Sequence, residues 1–504
     1  MVFSSVEFIL FFLPIFLIVY YITLVSYRNA VLLFGSLIFY AYGEPRYIVL
    51  LLASMVLNYW LARGMASEKS GVFLRKACFY IGILTNLSLL LVFKIAPEEL
   101  GLPLGISFYT FQSISYLIDV YRKDIPVETS LLKLSTYICM FPQLVAGPIV
   151  TYQEVKKQLD HPVTTWKGFD SGLKDFSAGL IMKVLLADRL SLLFKEVAGM
   201  GYISAPASVL WLGSVGYSLQ IYFDFFGYSM MAIGLGRMLG FNLPVNFDLP
   251  YMSTSVREFY RRWHITLGRW FAKYVYIPLG GSRNGMKKTL RNLFIVWVLT
   301  SLWHGVSINF VLWGMILCLV IMIEKAVSYY LDQKKDGAKS GIVESETAKA
   351  ETVKAETVKA ETVKAKTGQR TSEISLAETK QKTKKLNLNL IIKKTLQHIY
   401  VLFIIVLTWT CFAVTDLQDL FTYLGRMFGI LSGVRVNETI FMTLLGKYGF
   451  TILIGILFCT KKAHQCYKKW KDSYLGMITL AILFWVSVWY IHMMGDNPFL
   501  YFRF

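Results

Sequence analysis

The sequence predicts an all-α, polytopic integral membrane protein, with roughly 10–12 spanning or re-entrant helices around a central tunnel. Three observations carry this expectation. Of 504 residues, 55% are hydrophobic and only 17% charged, whereas soluble chains carry about 25% charge. Apolar runs recur along the whole length, at 6–21, 47–61, 77–93, 292–323, 401–415, 441–460 and 475–492, and several approach the roughly 20 residues that span a bilayer. The formal charge of +20 is gathered into short loops between those runs, at 63–76, 283–291 and 461–471. That is the pattern of cytoplasmic anchoring loops rather than of a nucleic-acid surface.

The first run has no basic segment ahead of it and no small-residue cleavage site behind it, so it reads as a retained helix. Residues 6–25 then run inward to Arg28, 30–42 outward to 43–45, 47–61 inward to the basic loop 63–76, and 77–93 outward again. The positive-inside rule therefore expects the N-terminus outside. At the other end Lys393, Lys394 and the 461–471 cluster are expected inside, so 475–492 exits and 496–504 faces outside. Three regions result: a membrane core at 1–330 that includes the re-entrant and candidate catalytic segments, a low-complexity cytoplasmic linker at 331–385, and C-terminal membrane helices with an external tail at 386–504. The linker contains ETAKA and ETVKA units from Glu346 to Ala365. Each five-residue unit advances about 140° around a helix, so the valines form no stripe, and the segment is expected to be a solvated cytoplasmic loop. The six cysteines show no CxxC pair and no metal-ligand spacing, so neither a metal nor a disulfide is expected.

The middle of the chain departs from plain spanning helices. Residues 108–121 and 137–150 read as interrupted, with Pro142, Gly147 and Pro148 inside FPQLVAGP. Irregular backbone at membrane depth is tolerated where it is buried in protein or lines a cavity. Residues 257–285, REFYRRWHITLGRWFAKYVYIPLGGSRNG, interleave aromatic and basic side chains. Arg261, Arg262, Lys273 and Arg283 are candidates to receive phosphate, with backbone donors from the Gly280–Gly281 turn; interfacial anchoring is the other reading.

Of six histidines, two stand out. His304 sits in WHG between apolar 292–303 and 306–323, and ionisable groups inside membrane segments are costly enough to point to function. A general base accepting the proton of an attacking hydroxyl suits it; a hydrogen-bonded structural histidine is the other reading. His264, beside Arg261, Arg262 and Trp263, reads by itself as interface lining.

These residues resemble the membrane-bound O-acyltransferases, and within them the bacterial alginate O-acetyltransferase-like branch. The resemblance rests on MVFSS at 1–5, YGEPR at 42–46, LVAGP at 144–148, YFD at 222–224, RRWH at 261–264, YIPLGGSR at 276–283, WHG at 303–305, NFVLWG at 309–314 and FLYFRF at 499–504. It implies that His304 is the essential histidine and His264, forty residues upstream, the second polar catalytic position. It also implies that Asp224, Trp303 and Asn309 face substrate. The implied reaction moves an acetyl group from a cytoplasmic thioester such as acetyl-CoA across a bacterial cytoplasmic membrane toward an exported polysaccharide or envelope polymer. No cofactor is held permanently, and a separate extracytoplasmic acyltransferase is the expected partner. Tyr501 is expected either as a transient acyl acceptor or as an interfacial anchor. Phe226 and Met230 stand where the branch usually has serine and aspartate. The alternatives are D-alanyl transfer to teichoic acid and a transporter without covalent chemistry.

Overall fold

The structure, a computed structural model, describes residues 2–67, 71–96, 100–145, 147–356, 371–432 and 439–495; of 335–356 and 371–388 it describes the backbone alone. Tyr501 and the rest of 496–504 lie outside the described residues. Among the described residues every regular element is helical, as a bilayer requires of segments that must satisfy their own backbone N–H and C=O groups.

The N-terminal run opens with a π-helical turn, Phe8–Phe12, and continues as α1 (Leu13–Ile22). Then come α2 (Arg28–Gly43), α3 (Ile48–Ala66), α4 (Val72–Ile95) and α5 (Ile106–Arg122). Short pieces follow: α6 (Leu131–Cys139), α7 (Phe141–Leu144) and α8 (Tyr152–Asp160). The central group is α9 (Trp166–Ile181), a π-helical turn Met182–Asp188, α10 (Arg189–Gly199) and α11 (Ala207–Met238). Beyond it lie α12 (Val256–Arg262), α13 (Ile265–Phe271), α14 (Gly285–His304), α15 (Ile308–Glu356) and α16 (Thr371–Ala413). The chain closes with α17 (Leu417–Met427), α18 (Thr439–Phe458), α19 (Lys461–Trp470) and α20 (Tyr474–Met494).

Among the described residues six stretches are long and apolar enough to cross a membrane: Pro45–Ala66, Val72–Ile95, Ile308–Lys334, Asn389–Ala413, Thr439–Phe458 and Tyr474–Met494. Their outer faces carry exposed large apolar side chains such as Phe450, Ile482 and Trp485, which suits contact with lipid tails. Polar residues on these helices pair with one another. Asn86 Nδ2 on α4 donates to Asn58 Oδ1 on α3 at 2.8 Å, a bond of the kind that contributes about 0.6–2 kcal/mol between membrane helices.

The sequence runs passed over the helix on which the rest is built. α11 buries 24 of its 32 residues and packs against α9, α10, α16, α17 and α18. Its contact with α9 is backbone on backbone. A Cβ at Gly179 would fall 2.4 Å from the Gly227 carbonyl oxygen, and one at Gly172 would fall 2.5 Å from that of Gly234. The glycines recur seven residues apart on both helices, so one packed face repeats along the crossing. Beside this contact a buried charge cluster closes on itself: Lys183 Nζ lies 2.5 Å from Asp188 Oδ1 and 3.1 Å from Asp224 Oδ1.

Of the two stretches expected to be interrupted, 108–121 is an unbroken part of α5. The other is interrupted as expected, with α6 ending at Cys139, α7 lasting four residues, and Gly147 at φ 118°. This irregular backbone is buried in protein. Phe141 N–H donates to Ser36 Oγ at 3.0 Å, and Ile149 N–H donates to Thr266 Oγ1 at 2.9 Å. The linker backbone is helical to Glu356 and again from Thr371; Glu-to-Lys pairs three residues apart suit such a helix.

Candidate active site

The run 292–323 is one apolar stretch in sequence and two helices in space. Gly305 ends α14 in extended backbone, and α15 starts three residues later. The two pack so closely that a Cβ at Gly314 would fall 1.8 Å from Ser301 Oγ. His304 is thus the last residue of α14, where its carbonyl oxygen accepts a hydrogen bond from the buried Lys94 Nζ of α4 at 3.2 Å. A cation at a helix C-terminus is favoured by the helix dipole.

His264 is placed by a break of another kind. Ser255 caps α12 by accepting from Glu258 N–H at 3.0 Å. The same end is held by Glu324 of α15, which accepts from the N–H groups of Val256 and Arg257 at 2.7 and 3.0 Å. After α12, His264 takes a left-handed conformation, φ 45° and ψ 54°, and α13 begins. A non-glycine residue held there costs on the order of 1–3 kcal/mol, and such strain gathers at functional sites.

Both histidines line one cavity of about 200 Å³, together with Tyr260, Trp297, Thr300 and Trp313. Leu293, Val296, Trp297, Thr300 and His304 of α14 all line it, so it follows one helix face for about 16 Å at 1.5 Å per residue. Its Leu293 end adjoins the basic start of α14, with Lys287, Lys288 and Arg291. Its walls are aromatic. The His304 ring stands edge-on to Trp303, Trp313 and Phe412 at 4.7, 5.0 and 5.4 Å, and His264 lies 4.7 Å from Phe225 and 5.8 Å from Trp303. Trp303 thus packs against both imidazoles and, though expected to face substrate, is not among the residues that line the cavity. Aromatic walls that exclude water strengthen the electrostatic interactions they enclose.

The other expected site residues lie elsewhere. Arg262 is bonded to Glu258 Oε1 at 2.8 Å and faces Asp248; Lys273 Nζ bonds Asp119 Oδ2 at 3.0 Å, an oxygen that also accepts from Tyr274 OH. Arg262 is thus met by Glu258, one helical turn before it, and by Asp248, and Lys273 by Asp119, far away in sequence; their role as phosphate ligands stays an expectation. Arg261 and Arg283 are exposed, and none of the four lines the cavity. The Gly280–Gly281 turn is likewise no anion cradle. Its N–H groups are spent on the carbonyls of Ile277 and Tyr276, and the Leu279 and Gly281 carbonyls accept from Asn292. Asp224 belongs to the charge cluster beside α9, and Asn309 Nδ2 donates to the Phe412 carbonyl at 3.3 Å, tying α15 to α16. Neither lines the cavity, and both make contacts between helices.

Three residues with a bearing on the site escaped the sequence reading. Lys94 lies just beyond the apolar run 77–93, and its charge at the end of a spanning helix was the available signal. Thr300 is an ordinary polar residue in an apolar run. Asn246 Oδ1 is 3.1 Å from His264 Nδ1 and gave no signal at all. A larger cleft of about 630 Å³ between α1 and α2 is lined almost wholly by apolar side chains, with Glu7 at its rim, and neither histidine reaches it. Among the described residues no group of three or more histidine, cysteine or acidic side chains is placed to hold a metal.

Comparison with known proteins accords with this arrangement. The chain is 40% identical over 349 residues to a probable alginate O-acetylase of Pseudomonas syringae pv. tomato, an alignment covering 65% of this chain and 67% of that protein. It is 32% identical over 381 residues to a peptidoglycan O-acetyltransferase of Helicobacter pylori, covering 65% and 71%. A teichoic acid D-alanyltransferase of Bacillus subtilis is 26% identical over 230 residues, 44% of this chain and 58% of the relative. Residues 46–333 match the membrane-bound O-acyltransferase family, and this segment contains the cavity and both of its histidines. The chain belongs to the membrane-bound O-acyltransferase family.

Proposed function

We propose that the protein transfers an acetyl group from acetyl-CoA, reached from the cytoplasm, to a hydroxyl bound for an exported polysaccharide or cell-envelope polymer. The observation that carries this reading is the convergence of His304 and His264 on one aromatic-walled cavity that follows α14 from its basic end. His304 acts as the general base. It takes the proton of the attacking hydroxyl as the oxygen bonds to the thioester carbonyl carbon. The C–S bond then breaks, and the leaving thiolate recovers the proton from the imidazolium. No resident cofactor takes part. Similarity to a probable alginate O-acetylase and to a peptidoglycan O-acetyltransferase supports acetyl as the group and an envelope polymer as its destination.

In this reading the protein sits in a bacterial cytoplasmic membrane with both termini outside and the 331–385 linker inside, as the basic loops favour. A separate extracytoplasmic acyltransferase acting on polysaccharide takes over the acyl group. Tyr501 is then a candidate relay hydroxyl, whose phenol gives an ester reactive enough to pass the group on. The test is proteoliposomes loaded with radiolabelled acetyl-CoA or with a D-alanyl carrier thioester. Acetyl-CoA consumption by wild type is expected, with Tyr501→Phe lowering label transfer as far as His304→Ala does. Turnover of the D-alanyl thioester alone, or full transfer by Tyr501→Phe, would overturn the donor or the relay respectively.

A further inference from the structure

Asn246 sits in the loop between α11 and α12 and is fully enclosed, 1% exposed. Its side-chain amide is oriented by two backbone groups whose roles admit no choice. The Gly147 carbonyl can only accept, and it faces Asn246 Nδ2 at 3.2 Å; the Thr266 N–H can only donate, and it faces Asn246 Oδ1 at 3.3 Å. Thr266 Oγ1 adds a bond to the same oxygen at 3.0 Å while accepting from Ile149 N–H. The amide oxygen therefore faces His264 Nδ1, 3.1 Å away. An amide oxygen donates nothing, so the proton of this bond belongs to Nδ1. In the neutral imidazole Nε2 then carries the lone pair, and this buried nitrogen has no hydrogen-bond partner among the described residues.

We infer that Asn246 is a positioning residue that fixes His264 in its Nδ1–H tautomer, so that Nε2 accepts a hydrogen bond from the hydroxyl or thiol in the cavity and does not donate one to the developing oxyanion. The inference rests on the acyl-transfer reading above and deepens it. The two histidines take the acceptor side of the reaction, and charge on the carbonyl oxygen is met elsewhere. Through Gly147 and Ile149 the same amide ties His264 to the interrupted stretch 137–150, which couples the ring's orientation to that buried irregular backbone. The titratable groups lining the cavity with His264 are Tyr260 of α12, Tyr276 beyond α13 and His304 of α14, with Lys94 of α4 behind His304. No carboxylate lines it among the described residues.

The experiment is a double-mutant cycle on the full-length protein in proteoliposomes, reading acetyl transfer from acetyl-CoA, together with the pH profile of Asn246→Asp. Asn246→Ala is expected to lower kcat tenfold or more with KM within threefold, and to cost nothing further in a His264→Ala background, because a residue acting through another is not additive with it. Equal penalties in both backgrounds would overturn the inference and make Asn246 a scaffold residue. Asn246→Asp keeps the acceptor and adds a charge, and it carries the test should Asn246→Ala not accumulate in the membrane. Its carboxylate favours the imidazolium, whose Nε2 no longer accepts, so the acidic limb of the profile should move to higher pH by a unit or more. An unmoved limb, or activity that rises on the acid side, would identify His264 as a donor and refute the assignment. A wild type without acetyl transfer would instead overturn the acyl-transfer reading, an outcome distinct from additivity in an active protein.

Discussion

The α9–α11 crossing and the broken stretch from Asn246 to His304 hold similar polar residues to opposite ends. At the crossing, buried charge is met by buried charge: Lys183 lies between Asp188 and Asp224, and the glycines bring the backbones together so that little space remains. In the broken stretch the polar groups border space. A left-handed histidine, a helix that stops at His304 and a ring of aromatic side chains leave a cavity of about 200 Å³ with an imidazole on either side. Burial alone does not separate the regions, because Asp224 and His304 are both almost fully enclosed, at 3% and 4% exposure. What separates them is that His304 lines a cavity, whereas Asp224 belongs to a cluster of buried charges and lines none. Asp224 is therefore read as a stabilising residue and His304 as a reacting one.

Perturbing the crossing should cost stability in proportion to how much of its closure is lost. The largest effect is expected from Asp224→Ala, which leaves Lys183 with half its neutralising charge. Removing one partner of a buried pair costs about 3–5 kcal/mol, visible as a lowered thermal midpoint of the detergent-solubilised protein. Gly179→Ala comes next. Its methyl meets the Gly227 carbonyl oxygen within 2.4 Å, and overpacking of this kind costs about 1–3 kcal/mol, measured in the same melt. Asn58→Leu removes one interhelical bond and should lower stability by about 1 kcal/mol or less, with turnover unchanged. The smallest effect is expected from replacing 331–385 by a short flexible linker, since closure entropy depends weakly on loop length. Retained acetyl transfer in the variant would agree, and its loss with normal insertion would show that the linker docks a partner.

Much of this architecture was legible in the sequence, and what was hidden has common causes. Runs such as 47–61, 77–93 and 475–492 reappear as Pro45–Ala66, Val72–Ile95 and Tyr474–Met494, because lipid-facing helices must be apolar throughout. α11 went unseen for the converse reason. A helix buried in protein on all sides uses Gly, Ser and Tyr for close packing, which dilutes the signal a spanning helix gives. The two histidines were visible as ionisable residues beside apolar or aromatic sequence. The pairing of Lys273 was not, because Asp119 meets it through the fold, whereas Glu258 stands at i,i+4 spacing before Arg262 on one helix. The unbroken course of 108–121 was hidden because the residues that break its neighbour, Pro142, Gly147 and Pro148, all lie beyond it. Asn246 reaches His264 across 18 residues and the whole of α12, and no periodicity reports such a contact.

The contrast is tested most directly by measuring acetyl transfer and thermal midpoint together for His304→Ala and Asp224→Ala. If a group facing the cavity reacts while a group facing another charge stabilises, His304→Ala keeps its midpoint within a few degrees of wild type and loses about 10²- to 10⁴-fold in turnover, the usual yield of a general base. Asp224→Ala should show a lowered midpoint and, in whatever fraction stays folded, turnover within a few-fold of wild type. A His304→Ala protein that turns over within threefold of wild type, or one that fails only because it no longer folds, would contradict the account.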